Sequence, residues 1–276
     1  MYQLFVRNAY EEETELTHSS YYAITDIDGF DPPEAVINTT RNAGYDGSIY
    51  NSAYMASRTV IITLAVNAPC AENRIRLYRY FKVKSKVRLR YVTVQRDLSV
   101  EGYVQAIDVA YFGKKQTVQI TVYCPEPALS GDEKTVTLTN VESLFQFPVT
   151  FDAPIPMSNA IAINEYNIYN SGDLKTGFRV EIEATGTVVN PKIIDTNTLD
   201  MLSFSLTLAD GDQLRIVTEQ GKKGAWVNGV NEIGCINPGS KWLELRPGDN
   251  VLLVLADSGD LNMRTSISLT EKFEGV

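Results

Sequence analysis

Apolar and polar residues alternate along most of this chain, the two-residue period of strands that bury one face and leave the other in water. The clearest runs are Val60, Ile62, Leu64, Val66; Val87, Leu89, Tyr91; Val118, Ile120, Val122; Phe145, Phe147, Val149, Phe151; Phe178, Val180, Ile182; Phe204, Leu206, Leu208; and Met263, Thr265, Ile267, Leu269. They are short and separated by turn residues, so the pattern predicts a mainly β protein. Between Val251 and Ala256 every position is apolar, which predicts a core strand covered on both faces.

One segment has a helical period instead. Over residues 70–82, Ala71, Ile75, Leu77, Tyr78 and Phe81 gather on one side of a helix while Arg76 and Arg79 oppose them, so this helix is expected to lie on a sheet. Directly after it, Lys86, Arg88 and Arg90 alternate with Val87, Leu89 and Tyr91, placing cations on one face of a strand. Residues 38–58 hold Gly44, Gly47 and three tyrosines without a clear apolar pattern. They read as a long loop or an extended hairpin, a length more often functional than idle in a compact domain.

Turn chemistry divides the chain. CPEPALSGD at 124–132 stops a strand with two prolines and a glycine, placing a boundary near Ser130 between domains 1–130 and 131–276. The second half is punctuated by DG at 210–211, QGKKG at 220–224, NG at 228–229 and PGD at 247–249. Many short strands with such turns predict a β-sandwich or jelly roll.

Charge sharpens the division. Residues 1–130 carry 14 Lys and Arg against 14 Asp and Glu, and residues 131–276 carry 11 against 20, so the net charge of −9 belongs to the second half. Within the first half, residues 74–96 hold nine cations and no acid, and residues 11–34 hold eight acids and no cation. The basic stretch, with Tyr78, Tyr80 and Tyr91 interleaved, suits a solvated face, an acidic protein partner or nucleic acid; the zero net charge of residues 1–130 disfavours the last.

The acidic stretch ends in TDIDGFDPPEAVIN at 25–38, where Asp26, Asp28, Asp31 and Glu34 crowd a turn stiffened by Pro32 and Pro33. A rigid acidic turn can hold calcium, orient a substrate or dock on a basic neighbour. An EF-hand counted from Asp26 fails, because its glycine and final carboxylate positions are Asp31 and Ile37.

Little else points to chemistry. Cys70, Cys124 and Cys235 are widely spaced and lack a CxxC pair, which reads as small buried side chains rather than a disulfide or zinc framework. With His18 the single histidine, one chain cannot build a multi-histidine metal site. No GxxxxGK[ST], strand-linked GxGxxG or GxSxG run occurs, and no carboxylate pair is singled out, so the chain reads as non-enzymatic, without cofactor or metal. Trp226 and Trp242, with Tyr166 and Tyr169, are either core aromatics or a platform for stacking sugar rings. No apolar run approaches a membrane span and MYQLFVRNAYEEETEL lacks a secretory core, so the chain is expected to stay in the cytosol.

The order of TDIDGFDPPEAVIN, NAGYDGSIYNSAYMASRTVIITL at 42–64, NRIRLYRYFK at 73–82 and QTVQITVYCPEP at 116–127 resembles the amino-terminal domain of siphophage distal tail proteins. NPKI at 190–193, DGDQLRI at 210–216, VNGVN at 227–231 and KWLELRPGDN at 241–250 resemble their second domain. The resemblance implies a baseplate hub component: a tail-tube-like first domain with one helix, closing a ring of six copies, and a galectin-like or carbohydrate-module-like sandwich projecting outward. It implies no catalytic residues. It implies partners in the tail tube protein, the tail-tip hub and a receptor-binding protein, with no membrane or specific nucleic-acid binding, and a place at the virion tail tip after assembly in the bacterial cytoplasm. The alternative is an adhesion module that binds host-surface carbohydrate through Trp226 and Trp242.

In a ring, each subunit needs two different complementary patches. The expectation is that Asp26, Asp28, Asp31 and Glu34 face Arg76, Arg79, Arg88 and Arg90 of the next copy, the competing possibility being that the two segments pair within one subunit, and that the 38–58 segment, with Tyr45, Tyr50 and Tyr54, lines or bridges the channel.

Overall fold

The computed structural model describes residues 2–44, 46–111, 116–138, 141–143, 158–160 and 165–276. Phe145, Phe147, Val149 and Phe151, and the candidate Tyr45, lie outside them. The chain divides into two compact units, residues 1–132 with 272–276, and residues 133–271. Unit 1 is thus built from both ends of this sequence, and the chain passes between the units twice.

Unit 1 opens with β1 (Gln3–Asn8), β2 (Glu13–Glu15), β3 (Tyr22–Asp28), β4 (Ala35–Thr40), β5 (Ile49–Met55) and β6 (Arg58–Val66). Helix α1 (Cys70–Tyr80) follows, then β7 (Lys86–Val92), β8 (Asp97–Ala110) and β9 (Gln116–Cys124). All pairings are antiparallel, in the order β2–β1–β7–β8–β9–β6–β3.

The long strand β8 serves two neighbours in turn. Residues 97–103 pair with β7 and residues 103–110 with β9, with a register shift between Val104 and Ala106. A bulge of this kind bends a strand and sharpens its twist. Gly102 sits at the changeover, where a Cβ would stand 2.7 Å from Cys124 Sγ; the missing side chain lets β9 approach. The alternating residues of the sequence fill the core as expected, with Val60, Ile62, Leu64, Leu89, Val118, Ile120 and Val122 fully buried.

Two expectations need correction. Helix α1 buries Asn73 and Leu77, and Phe81 follows at its end, whereas Ile75 is 65% exposed and Ala71 also faces solvent. The wheel is rotated because Asn73 is anchored inward: its side-chain amide donates to the Asn67 carbonyl at 2.9 Å, and its own carbonyl accepts the Tyr22 hydroxyl at 2.9 Å. Asp26 and Asp28, read as part of a turn, lie on β3, which is paired on one side only, by β6. Charges on such an edge discourage unwanted strand addition.

Unit 2 is a β-sandwich. One sheet runs Met263–Phe273, Phe178–Ala184, Gln213–Val217, Gly224–Val227, Val230–Asn231; the other runs Glu165–Asn170, Gly248–Leu255, Lys192–Asp195, Met201–Ser203. Both contribute to one core, with Phe178, Val180, Ile216 and Ile267 from the first and Ile168, Ile193 and Leu252 from the second. The apolar run 251–256 is central in its sheet, yet only Leu252, Val254 and Ala256 are buried; Val251, Leu253 and Leu255 are half-covered. That corrects the expectation of full cover on both faces. The NG at 228–229 makes a two-residue hairpin turn, Asn228 and Gly229 both having positive φ (49° and 80°).

Candidate assembly surfaces

The 38–58 segment is an extended hairpin: β4 pairs with β5 from Ala35↔Met55 to Thr40↔Ile49, with an irregularity after Asn38. Among the described residues neither strand joins another sheet. The register puts Ile37, Thr39 and Tyr50 on one face and Val36, Asn38 and Tyr54 on the other. Both faces are bare, with Ile37 61%, Tyr50 63% and Tyr54 59% exposed. A lone two-stranded hairpin is marginal in water, and apolar side chains on both faces are what a partner surface would cover. Val36, Ile37 and Ile49 were missed by the sequence reading. The signal was the Val36-Ile37 doublet beside the tyrosines, hidden by a bulge that breaks the alternation.

The acidic carboxylates of Asp26, Asp28, Asp31 and Glu34 are all exposed. Among the described residues, none of them forms an ion pair. Their segment is nevertheless rigidly held. Gly29 has a φ of 94°, and a Cβ there would lie 2.1 Å from the Thr59 carbonyl oxygen. Arg58, buried at 3% exposure, donates through Nη1 to the carbonyls of Gly29 (2.6 Å) and Asp31 (2.7 Å).

The basic candidates are brought together less completely. Arg79 pairs with Glu12; hydrogen bonds from Arg79, then Asn8, hold the Glu12 carboxyl below its usual range. Arg90 pairs with Asp97, and Lys86 with Glu101 at 2.7 Å, while Arg88 Nη2 donates to Ser99 Oγ at 2.9 Å. The basic face of β7 therefore meets acids on its own neighbour β8. Asp97 and Glu101 lie just beyond the nine-cation stretch, so the sequence reading left them out. Among the described residues the other two helix cations pair with no carboxylate: Arg76 lies over the Tyr21 ring at 4.0 Å, and Arg74 reaches Gln116 Oε1 at 3.0 Å. His18 is committed to Glu15 Oε1 at 2.5 Å.

The aromatic candidates of unit 2 separate. Tyr166 is buried in the core, and Tyr169 is exposed. Trp242 packs partly against the core with Lys223 Nζ 6.0 Å from its ring. Trp226 instead lies on the outer face of its sheet, where Arg215 sits over its ring at 5.0 Å. Cys124 is buried, which pushes its thiol up to about 11, whereas Cys70 and Cys235 are half-buried; all three are free. Among the described residues no cluster of His, Cys, Asp and Glu could hold a metal.

Comparison with known proteins adds a family to this geometry. Residues 171–273 match the model of the siphovirus-type tail component, C-terminal domain. No curated protein matches the sequence. Among solved structures, the Dit (gp 19.1) protein of phage SPP1 superposes with a TM-score of 0.72 at 14% identity, over 98% of this chain and 99% of that one. A chain of the phage P2 baseplate in its activated conformation with calcium gives 0.57 at 10% identity, over the whole of both chains, and its strontium counterpart 0.54 at 9%. Residues 171–273 of unit 2 thus match the siphovirus-type tail component C-terminal domain, and the chain as a whole is similar in fold to the SPP1 Dit protein.

Proposed function

We propose that this chain is a distal tail component that closes as a ring of six copies at the tip of a non-contractile tail, joining the tail tube to the adhesion apparatus. The bare hairpin β4–β5 carries the reading. Its two apolar faces and open strand edges have no cover among the described residues, and a second copy of the chain supplies one in a closed ring. The unpaired carboxylates of Asp26, Asp28, Asp31 and Glu34 and the unneutralised helix cations Arg74 and Arg76 give a second pair of complementary patches, which set register while apolar burial holds the joint. Arg79, Arg88 and Arg90, engaged inside unit 1, play a smaller part. Unit 2 then faces the tail-tip and receptor-binding proteins, and the assembled ring resides in the virion.

The test is Ile37→Lys combined with Tyr50→Lys, followed by sedimentation and negative-stain imaging with and without the tail tube protein. Rings are expected from the unmodified chain and subunits that stay apart from the variant, at an unchanged thermal midpoint. Rings of normal size from the variant, or an unmodified chain that stays monomeric in both settings, reject the proposal. Arg76→Glu should weaken rings most at low salt.

A further inference from the structure

The two outer faces of the unit 2 sandwich differ in kind. On the first sheet the outward residues are polar, with Arg179, Glu181 and Glu183 on one strand and Gln213 and Arg215 on its neighbour. On the second sheet the register sets Glu165, Leu253, Ile194 and Met201 in one row across all four strands. Val251 and Leu255 flank Leu253 along its strand, so five apolar side chains adjoin on a face turned away from the core. Met201 is 41% exposed and the other four are half-buried. An antiparallel sheet with one solvated face alternates apolar with polar residues, and the unbroken run at 251–256 departs from that rule.

The loop that leads into Met201 presents a further apolar group. Leu199 has a φ of 59° and is 79% exposed, in a backbone region costly for a bulky residue. Buried Asp195 holds it there. Its carboxylate accepts from the Asn197 N–H at 2.8 Å and the Thr198 hydroxyl at 2.9 Å, and its carbonyl accepts from the Leu199 N–H at 2.8 Å. A leucine fixed in water next to a bare apolar sheet face marks a surface that another molecule covers.

Charge identifies that molecule. Lys192, on this face, is taken by Asp257 at 3.1 Å, and Lys241, whose N–H donates to the Met201 carbonyl, is taken by Asp200 at 2.6 Å. Glu165, at the end of the apolar row, and Asp249, opposite Tyr169, are exposed and, among the described residues, form no ion pair. The uncommitted charges of the face are therefore acids. A second copy would bring the same two acids, from a half that carries 20 acids against 11 cations, and an anionic lipid surface would meet them as well. We propose that this face docks a different polypeptide, one whose apolar side chains are flanked by lysine or arginine. The proposal rests on the reading of unit 2 as the part that meets other tail proteins, and not on ring closure.

Two synthetic peptides test it. They share one apolar core, flanked by lysines in one and by glutamates in the other, and each is labelled and titrated with the full-length chain by fluorescence anisotropy. The lysine-flanked peptide should bind at least about tenfold more tightly at low salt. Leu199→Lys and Met201→Lys, both at exposed positions, should each weaken it at least about tenfold at an unchanged thermal midpoint, and Leu199→Lys decides alone if Met201→Lys does not fold. Glu165→Lys combined with Asp249→Lys should abolish the preference for lysine flanks. Sedimentation of the same variants separates this face from the ring joint, because their rings should match those of the unmodified chain; an unmodified chain without rings counts against the ring reading alone. No binding of either peptide at millimolar concentration, equal binding of both, full affinity in Leu199→Lys and Met201→Lys, or rings lost only in those variants overturns the proposal.

Discussion

Arg58 Nη2 donates a hydrogen bond of 2.5 Å to the carbonyl oxygen of Glu274, joining residues 216 positions apart in the chain. The same guanidinium reaches Pro127, Gly29 and Asp31, so one buried cation ties β6, the acidic turn, the segment after β9 and the returning tail. Its partners are carbonyl oxygens throughout. Phe273 adds apolar burial in the unit 1 core, and Arg96 secures Gly275 at 2.7 Å.

Replacing Arg58 with methionine keeps most of the volume and strips four carbonyls of their donor. Buried acceptors left unsatisfied cost about 1–3 kcal/mol each, so unit 1 should lose at least about 3 kcal/mol and its melting midpoint fall by roughly 10 °C. Arg58→Lys should recover little, because a single ammonium cannot span four sites. Calorimetry resolving the two units checks both, with the unit 2 transition unmoved. A midpoint within a degree or two of the parent would contradict the role of the clasp.

Gly29→Ala should behave as a core lesion although the position is only half-buried. Its φ of 94° and the Thr59 carbonyl 2.1 Å from the added Cβ together predict a loss of at least about 2 kcal/mol. Gly47 has a similar φ of 102° with open space around it, so Gly47→Ala should cost only about 1 kcal/mol. Denaturant melts of the two variants give the comparison, and equal losses would show that close approach is not the cause.

Glu271 gives unit 2 a defined acid sensitivity. Burial pushes its carboxyl up, but Lys134 Nζ (2.6 Å) and the hydroxyl and N–H of Ser171 (2.5 and 2.8 Å) outweigh it and hold the group below its ordinary 4.5. A depressed folded value means stabilisation that is complete above the unfolded value and lost as pH falls from about 4.5 through the folded one. The unit 2 midpoint should therefore drop between pH 6 and pH 3 by more in the parent than in Glu271→Gln. Parallel pH profiles would exclude the linkage.

The strands were legible because the period of two is local: Val60 to Val66 and Val118 to Val122 turn inward as their alternation dictates. The turn at Asn228-Gly229 was legible for a similar reason, since few residues accept two positive φ angles. What failed depended on partners remote in sequence. Ile75 lost its place in the core to Asn73, whose hydrogen bonds run to Asn67 and Tyr22. The basic stripe on β7 looked free until β8 brought Asp97 and Glu101 beside it. Trp226 was visible as a candidate, but Arg215, which lies over its ring, comes from a strand that only the register sets beside it. Arg58 carried no signal, being one arginine beside an apolar strand.

Residues 272–276, which complete unit 1, follow the whole of unit 2 in the chain. On the ribosome, Phe273, Glu274 and Val276 therefore reach Arg96, Arg58 and Phe30 only after the sandwich has been translated. A nascent or prematurely stopped polypeptide would display an unfinished first unit. Sequence order thereby leaves unit 1 without Glu274, the partner of its buried Arg58, until residues 133–271 have been made.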